Sequence, residues 1–242
     1  MRVDATSYDD ATGRLLEWAG RGESRYLCAA CVNSVMEAHD SAELMEVMNQ
    51  ADLVTPDGMP LVWALRLLGI PGATRVYGPD LTRTMLAACA REGVPVGFYG
   101  GHPEALERLL GFARSTYPGL RIAYSWSPPF RALDPEEDEQ AVAAINESGA
   151  RILFVGLSTP KQDRWMARHR GRVRAVMLGV GAAFDFLGGS KPQAPRWMMG
   201  VGLEWLFRMA TEPRRLWRRY TRHNPRFVYL FALQLIGFRR AG

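Results

Sequence analysis

Six short segments of this 242-residue chain read as strands, and most are apolar at nearly every position rather than at every second one. They are Tyr26–Val32, Leu53–Thr55, Val94–Tyr99, Arg121–Trp126, Ile152–Val155 and Ala175–Val180. A strand apolar on both sides must be covered on both faces, and helical stretches separate these segments in alternation. That pattern predicts an α/β fold: a mainly parallel, Rossmann-like sheet flanked by helices. The helices are expected at Ala11–Ala19, across the E-A-H-D-S-A-E-L-M region with Ser41 as an N-cap, at Met59–Leu68, and from about Leu81 to Arg91. Further helices are expected from His102 to near Tyr117, over Pro135–Ser148, and after Ser158-Thr159, either of which can cap the one carrying Lys161, Gln162 and Trp165.

Open sheets of this kind place ligands at the carboxyl ends of their strands. The stretch L-V-T-P-D-G-M-P puts Asp57 there, because Pro56 and Gly58 favour a tight turn before a helix that tolerates Pro60 in its first turn. Arg75 precedes a second turn, Gly78-Pro79-Asp80, that opens the next helix. A candidate base and a candidate anion clamp therefore occupy neighbouring turns, although an Asp in Pro-Asp-Gly also serves as turn chemistry or a helix cap. Gly100-Gly101 after the Val94–Tyr99 strand is a shape that holds a phosphate at a helix start, or equally an ordinary strand-to-helix turn.

Composition narrows the classes. The start, M-R-V-D-A-T-S-Y-D-D, has no apolar core of a signal peptide, and no stretch reaches the roughly 20 apolar residues of a membrane span. A cytoplasmic protein is expected. Cys28 and Cys31 fall in one strand-like run, where residues three apart point to opposite faces and cannot chelate, so core packing is expected of them. His39, His102, His169 and His223 show no ligand spacing, and neither a protein-built metal site nor a cofactor is expected. The net charge of +5 is unevenly spread: residues 196–242 carry ten arginines against Glu204 and Glu212, a net +8, which leaves −3 on residues 1–195. Two units are expected: a mildly acidic α/β body over 1–195, and a basic, aromatic-rich helical appendage over 196–242.

In the appendage, one aromatic and Met-rich helix is expected from Ala194-Pro195 through Met209, a second from Pro213, and a third over Phe227–Phe238 after a break at Asn224-Pro225. Arg215, Arg218, Arg219 and Arg222 share one helical face, with Leu216, Trp217 and Tyr220 between them. Such a face suits a nucleic acid, an anionic membrane surface, or plain solvation above packed aromatics. The acidic body argues against a nucleic-acid partner. The last helix is equally suited to shallow insertion and to packing on the body.

Together these segments resemble the WecG/TagA/CpsF family of bacterial glycosyltransferases. The pieces that carry the resemblance are Asn33 after the first strand, T-P-D-G at 55–58, R-V-Y-G-P-D-L at 75–81, G-L-S-T-P-K-Q-D-R-W at 156–165, G-V-G-A-A-F-D-F at 179–186, and A-P-R-W-M-M-G-V-G-L-E-W-L-F-R-M-A-T-E-P-R-R-L-W-R-R-Y at 194–220. They occur in family order over most of the chain. The resemblance implies an inverting, metal-independent transfer from a UDP-sugar donor to a sugar on an undecaprenyl-diphosphate carrier. Family members build teichoic acid linkage units, enterobacterial common antigen, capsules and exopolysaccharides. It further implies Asp57 as general base, Arg75 stabilising the leaving diphosphate, and substrate contacts from Asn33, Thr55, Gly78, Asp80, Lys161, Gln162, Asp185, Arg208, Arg215 and Arg218. The appendage is expected to dock on the inner face of the plasma membrane and complete the site, and small homo-oligomers fit the family. Asp163 stands where many members have Glu, and Gln193 where some have Arg. The donor sugar is open among N-acetylmannosamine, glucose, galactose and a uronic acid. A soluble epimerase or dehydrogenase is disfavoured, because neither a dinucleotide fingerprint nor a Tyr-x-x-x-Lys couple is present. A noncatalytic scaffold of a polysaccharide assembly complex is the alternative.

Overall fold

The computed structural model describes the backbone of residues 1–241 and the side chains of residues 1–237. Its six strands, β1 (Arg25–Ala30), β2 (Leu53–Pro56), β3 (Val96–Gly100), β4 (Ile122–Trp126), β5 (Ile152–Gly156) and β6 (Val176–Gly179), form one sheet in the order β2-β1-β6-β5-β3-β4. Every pairing is parallel. The helices are α1 (Tyr8–Gly20), α2 (Val32–Asp40), α3 (Ala42–Gln50), α4 (Met59–Leu67), α5 (Gly78–Glu92), α6 (Pro103–Thr116), α7 (Pro135–Glu147), α8 (Lys161–His169), α9 (Ala183–Leu187), α10 (Arg196–Gly200), α11 (Glu204–Thr211) and α12 (Pro213–Ala241).

The double burial inferred from the apolar runs has a simple origin in strand geometry, since successive side chains leave opposite faces. Leu27, Leu53, Phe98, Phe154 and Leu178 pack beneath α1, α5, α6 and α9. Their neighbours Tyr26, Cys28, Val54, Tyr99, Leu153 and Met177 pack against α2, α3, α7 and α8 on the other side. Phe98 stacks on Phe154 with ring centroids 5.3 Å apart, and Phe184 of α9 meets Phe98 edge-on at 5.9 Å. Each fully buried side chain of this size contributes about 1.5–3 kcal/mol. The fold is the Rossmann-like α/β sheet expected from the sequence, with further helices after it.

Several boundaries differ from expectation. β1 stops at Ala30, so Cys31 leaves the sheet and occupies the N-cap of α2, where its main-chain N–H donates to Ser34 Oγ at 3.2 Å. The region around Ser41 is two helices, because the Ser41 side chain caps α3 by accepting from the Leu44 N–H. Neither Ser158 nor Thr159 caps α8: the N-cap position belongs to Pro160, and Ser158 is held at φ +66°. Gly100 closes β3 and Gly101 follows it in an ordinary strand-to-helix turn. Gly101, at φ +74°, is pressed against Phe184, whose ring stands 2.8 Å from where a Cβ would be.

The expected helix over 194–209 is two short ones, α10 and α11. They are split at Gly202 (φ +74°), where any side chain would collide with the Trp63 ring of α4. The expected break at Asn224-Pro225 does not occur, and α12 runs through Pro225. Its stretch over 227–231 packs on the body: Phe227 is buried, and Leu230 and Phe231 lie against the same apolar cluster as α2 and α3, while Val228, Tyr229, Leu233 and Ile236 are exposed. The Phe238 side chain lies outside the described residues. Among the described residues no helix is long and apolar enough to cross a membrane.

Candidate active site

The chain leaves β1 and β6 toward opposite faces of the sheet, to α2 and to α9. A crevice at the carboxyl ends of two such strands is the place where open α/β sheets bind ligands. An open cleft of about 610 Å³, part of it shared with solvent, lies there. Its walls come from the ends of β1 (Ala29, Cys31), β2 (Asp57), β5 (Ser158, Thr159) and β6 (Gly179 to Ala183), with Gln162 of α8. Arg208 of α11 and Arg215 and Arg219 of α12 close it from the appendage side.

Asp57 follows β2 directly, and its N–H extends the ladder to Ala30 O at 2.8 Å. The chain returns alongside: the Val76 N–H donates to Pro56 O at 3.0 Å, which brings Arg75 next to the turn. Arg75 Nε donates to the main-chain carbonyl of Asp57, its Nη2 donates to Glu204 Oε2, and its guanidinium carbon lies 4.2 Å from the Tyr77 ring centre. Asp57 Oδ1 accepts the Gly78 N–H, the first of α5, at 2.6 Å. Among the described residues Oδ2 makes no hydrogen bond. Burial raises the Asp57 proton affinity above the ordinary carboxylate range and Glu204 adds to the rise, while Arg75, the Gly78 N–H and Arg208 oppose it. A carboxylate held at a raised pKa beside a cleft has the character of a general base.

The cationic wall is equally specific. Arg208 lies 5.4 Å over the Phe186 ring, and Arg219 Nη2 contacts the Cys31 thiol at 3.5 Å. Among the described residues, Nε of both arginines is buried without a hydrogen-bond partner. Arg215 shares Glu212 with Lys191. On the opposite wall Gln162, almost wholly buried, accepts the Gly181 N–H through Oε1 at 3.1 Å.

Of the residues singled out from sequence, Asp57, Gln162, Arg208 and Arg215 line the cleft. Gly78 and Arg75 stand behind Asp57, and Arg75 is engaged by Glu204 rather than turned to the opening. Thr55 is fully buried one residue before Pro56 with its hydroxyl unpartnered, and Asn33 is buried in the first turn of α2. Four others lie outside the lining for visible reasons. Asp80 is held by Arg196 at 2.6 Å and Asp185 by Lys191 at 2.9 Å, Lys161 is exposed 5.5 Å above Phe130, and Arg218 is exposed on α12. Arg219 takes the cleft position that Arg218 was expected to fill. The phase of α12 is set by the buried residues Leu216, His223 and Phe227, spaced seven and four apart, and a reading of that seam points to Arg215 and Arg219 together. Cys31, Tyr77, Ser158 and Phe186 also line the cleft: the last three fall within the segments that carry the resemblance but were not singled out, and Cys31 was expected in the core. Among the described residues no three His, Cys, Asp or Glu side chains group as a metal-binding cluster.

The model of the glycosyl transferase WecG/TagA/CpsF family matches residues 1–241, nearly the full length. A match of that extent, over a parallel sheet whose strand ends bear the cleft just described, gives the chain a glycosyltransferase role: it belongs to the WecG/TagA/CpsF family.

Proposed function

We propose that this chain is an inverting, metal-independent glycosyltransferase that moves a sugar from a UDP-sugar to a sugar carried on undecaprenyl diphosphate, in cell-wall, capsule or exopolysaccharide synthesis. The observation that carries the reading is one carboxylate of raised proton affinity, Asp57, in a cleft whose other side holds Arg208, Arg215 and Arg219. In the proposed step an acceptor hydroxyl attacks the anomeric carbon. Its proton passes to Asp57 Oδ2, the new C–O bond forms, and the bond to the diphosphate breaks with its electron pair leaving on UDP. Charge then accumulates on the diphosphate, and guanidinium groups in a partly dry cleft stabilise it without a metal ion. Arg75 adds positive potential behind the base, and Gln162 offers its amide to the donor.

Residues 196–242 serve in this reading as the appendage that completes the site and meets the membrane. Support comes from exposed Trp63 and Leu67 on α4, with the Trp63 ring against Gly202, and from exposed Trp197 of α10, Val201 at its end and Leu206 of α11, in a segment that carries ten arginines. Apolar side chains flanked by basic ones suit peripheral attachment to an anionic leaflet, here the inner face of the plasma membrane. UDP release from a panel of UDP-sugars, measured in EDTA with a synthetic polyprenyl-diphosphate-sugar acceptor, tests the reading. Acceptor-dependent turnover that resists EDTA and is lost on removal of residues 196–242 is expected. Vesicle binding without UDP release from any donor points instead to a noncatalytic scaffold, and turnover that needs a divalent cation refutes metal independence.

A further inference from the structure

Glu204 opens α11, and no residue of that helix is fully buried. Apolar packing alone therefore fixes its position weakly, and a directional contact has more to decide. Glu204 supplies one. Its carboxylate accepts from Arg75 in a pair whose side chains are only 14% and 13% exposed, and the same guanidinium holds the Asp57 carbonyl and lies over Tyr77. One turn along α11, on the same face, Arg208 reaches the cleft. A buried ion pair adds little net stability compared with an apolar pair of the same shape; its better-attested use is to specify one arrangement.

We propose that Glu204 is a positioning residue for the transfer: by gripping Arg75 it fixes the main chain of Asp57 and the reach of Arg208 into the cleft together. The proposal rests on Asp57 acting as the base. It adds that the appendage and the base are coupled through a carboxylate that touches no substrate. The groups facing Asp57 are Arg75, the Gly78 N–H at the start of α5, Glu204 and Arg208 from α11, Tyr77, and Tyr8 from α1. Burial pushes both tyrosines up, so they stay neutral and Glu204 is the nearby negative charge in that set. Glu204 raises the proton affinity of Asp57 and Arg75 lowers it. Neutralising Glu204 leaves burial alone to raise the Asp57 proton affinity against Arg75, favours the carboxylate, and moves its ionisation to lower pH.

The experiment compares pH profiles of kcat/KM for the full chain and for Glu204→Gln, Glu204→Asp and Asp57→Asn, with thermal midpoints recorded beside them. Glu204→Gln is expected to lose about 10²-fold in kcat, the scale of an ångström-level misplacement at a site, and to shift its acid limb to lower pH. Glu204→Asp restores the charge and returns the limb toward its wild-type position, even where its shorter reach leaves the rate low. An acid limb unmoved in Glu204→Gln, or one shifted equally in Glu204→Asp, reduces Glu204 to a structural contact and overturns the proposal. If Asp57→Asn is as active as wild type, the base reading fails instead, and amide hydrogen exchange then decides the remaining claim. Faster exchange over residues 204–211 in Glu204→Gln, with α1 unchanged, supports the docking role; unchanged exchange there removes it.

Discussion

Asp57→Asn is expected to lower kcat by about 10²–10⁴-fold while leaving KM near its wild-type value, the signature of a group needed only in the transition state. The substitution is well matched to the site. The Asn carbonyl oxygen still accepts the Gly78 N–H that Asp57 Oδ1 takes at 2.6 Å, so the turn is retained, but an amide cannot receive the acceptor's proton. Stability should move the other way. Because burial raises the folded-state pKa of Asp57, the stabilisation associated with its protonated form is fully present below the unfolded-state pKa and is lost as pH rises through the folded one. At neutral pH the wild-type chain therefore carries the cost of an ionised buried carboxylate, and the Asn variant does not. Thermal unfolding at neutral pH is expected to give Asp57→Asn a midpoint at or above that of wild type, with the difference closing in acid. A midpoint well below wild type at neutral pH shows that the Asp57 charge holds the fold together and speaks against a base stored at a cost in stability.

Arg208→Ala should cost about 10²–10³-fold in kcat, the range found for removing one group that stabilises developing negative charge. Arg208 is the strongest candidate because it lies over Phe186, its Nε lacks a partner, and α11 places it one turn beyond the residue that grips Arg75. Arg208→Lys should recover only part of the loss, since an ammonium offers a point charge where a planar fork fits two phosphate oxygens. Arg219→Ala should follow Arg208→Ala in direction, and Arg218→Ala should lose far less, because Arg218 is exposed and outside the lining. Steady-state kinetics with the preferred donor separates them. Equal losses at 218 and 219 imply that α12 rotates or shifts when substrate binds.

The fold was largely legible because its determinants are local and redundant. Near-continuous apolar strands such as Ile152–Val155 demand cover on both sides, and the turn Pro56-Asp57-Gly58 stops β2 where it must. Two kinds of information were not local. Helix breaks in the appendage meet partners far along the chain: the α10–α11 junction sets Gly202 against Trp63, and α12 runs through Pro225 just before Phe227 and Leu230 pack on the body. Partnerships of charged side chains are equally remote in sequence. Nothing near Arg75 announces Glu204, nor does anything near Asp80 announce Arg196, so Asp80 read as free when it is paired. In the site, Asp57 was visible because a strand end and the turn after it fix its neighbourhood, whereas Gln162 was visible only through the family resemblance. The choice between Arg218 and Arg219 required knowing which side of α12 is buried.

A single displacement with Asp57 as the base is tested most directly by the anomeric configuration of the product. Nuclear magnetic resonance of the disaccharide released from the acceptor lipid, compared with the configuration of the UDP-sugar consumed, reads it without reference to rates. The account predicts inversion. Retention contradicts it, because a product of unchanged configuration requires either a second displacement from a nucleophile or attack from the leaving-group side, and neither uses Asp57 as the base described here.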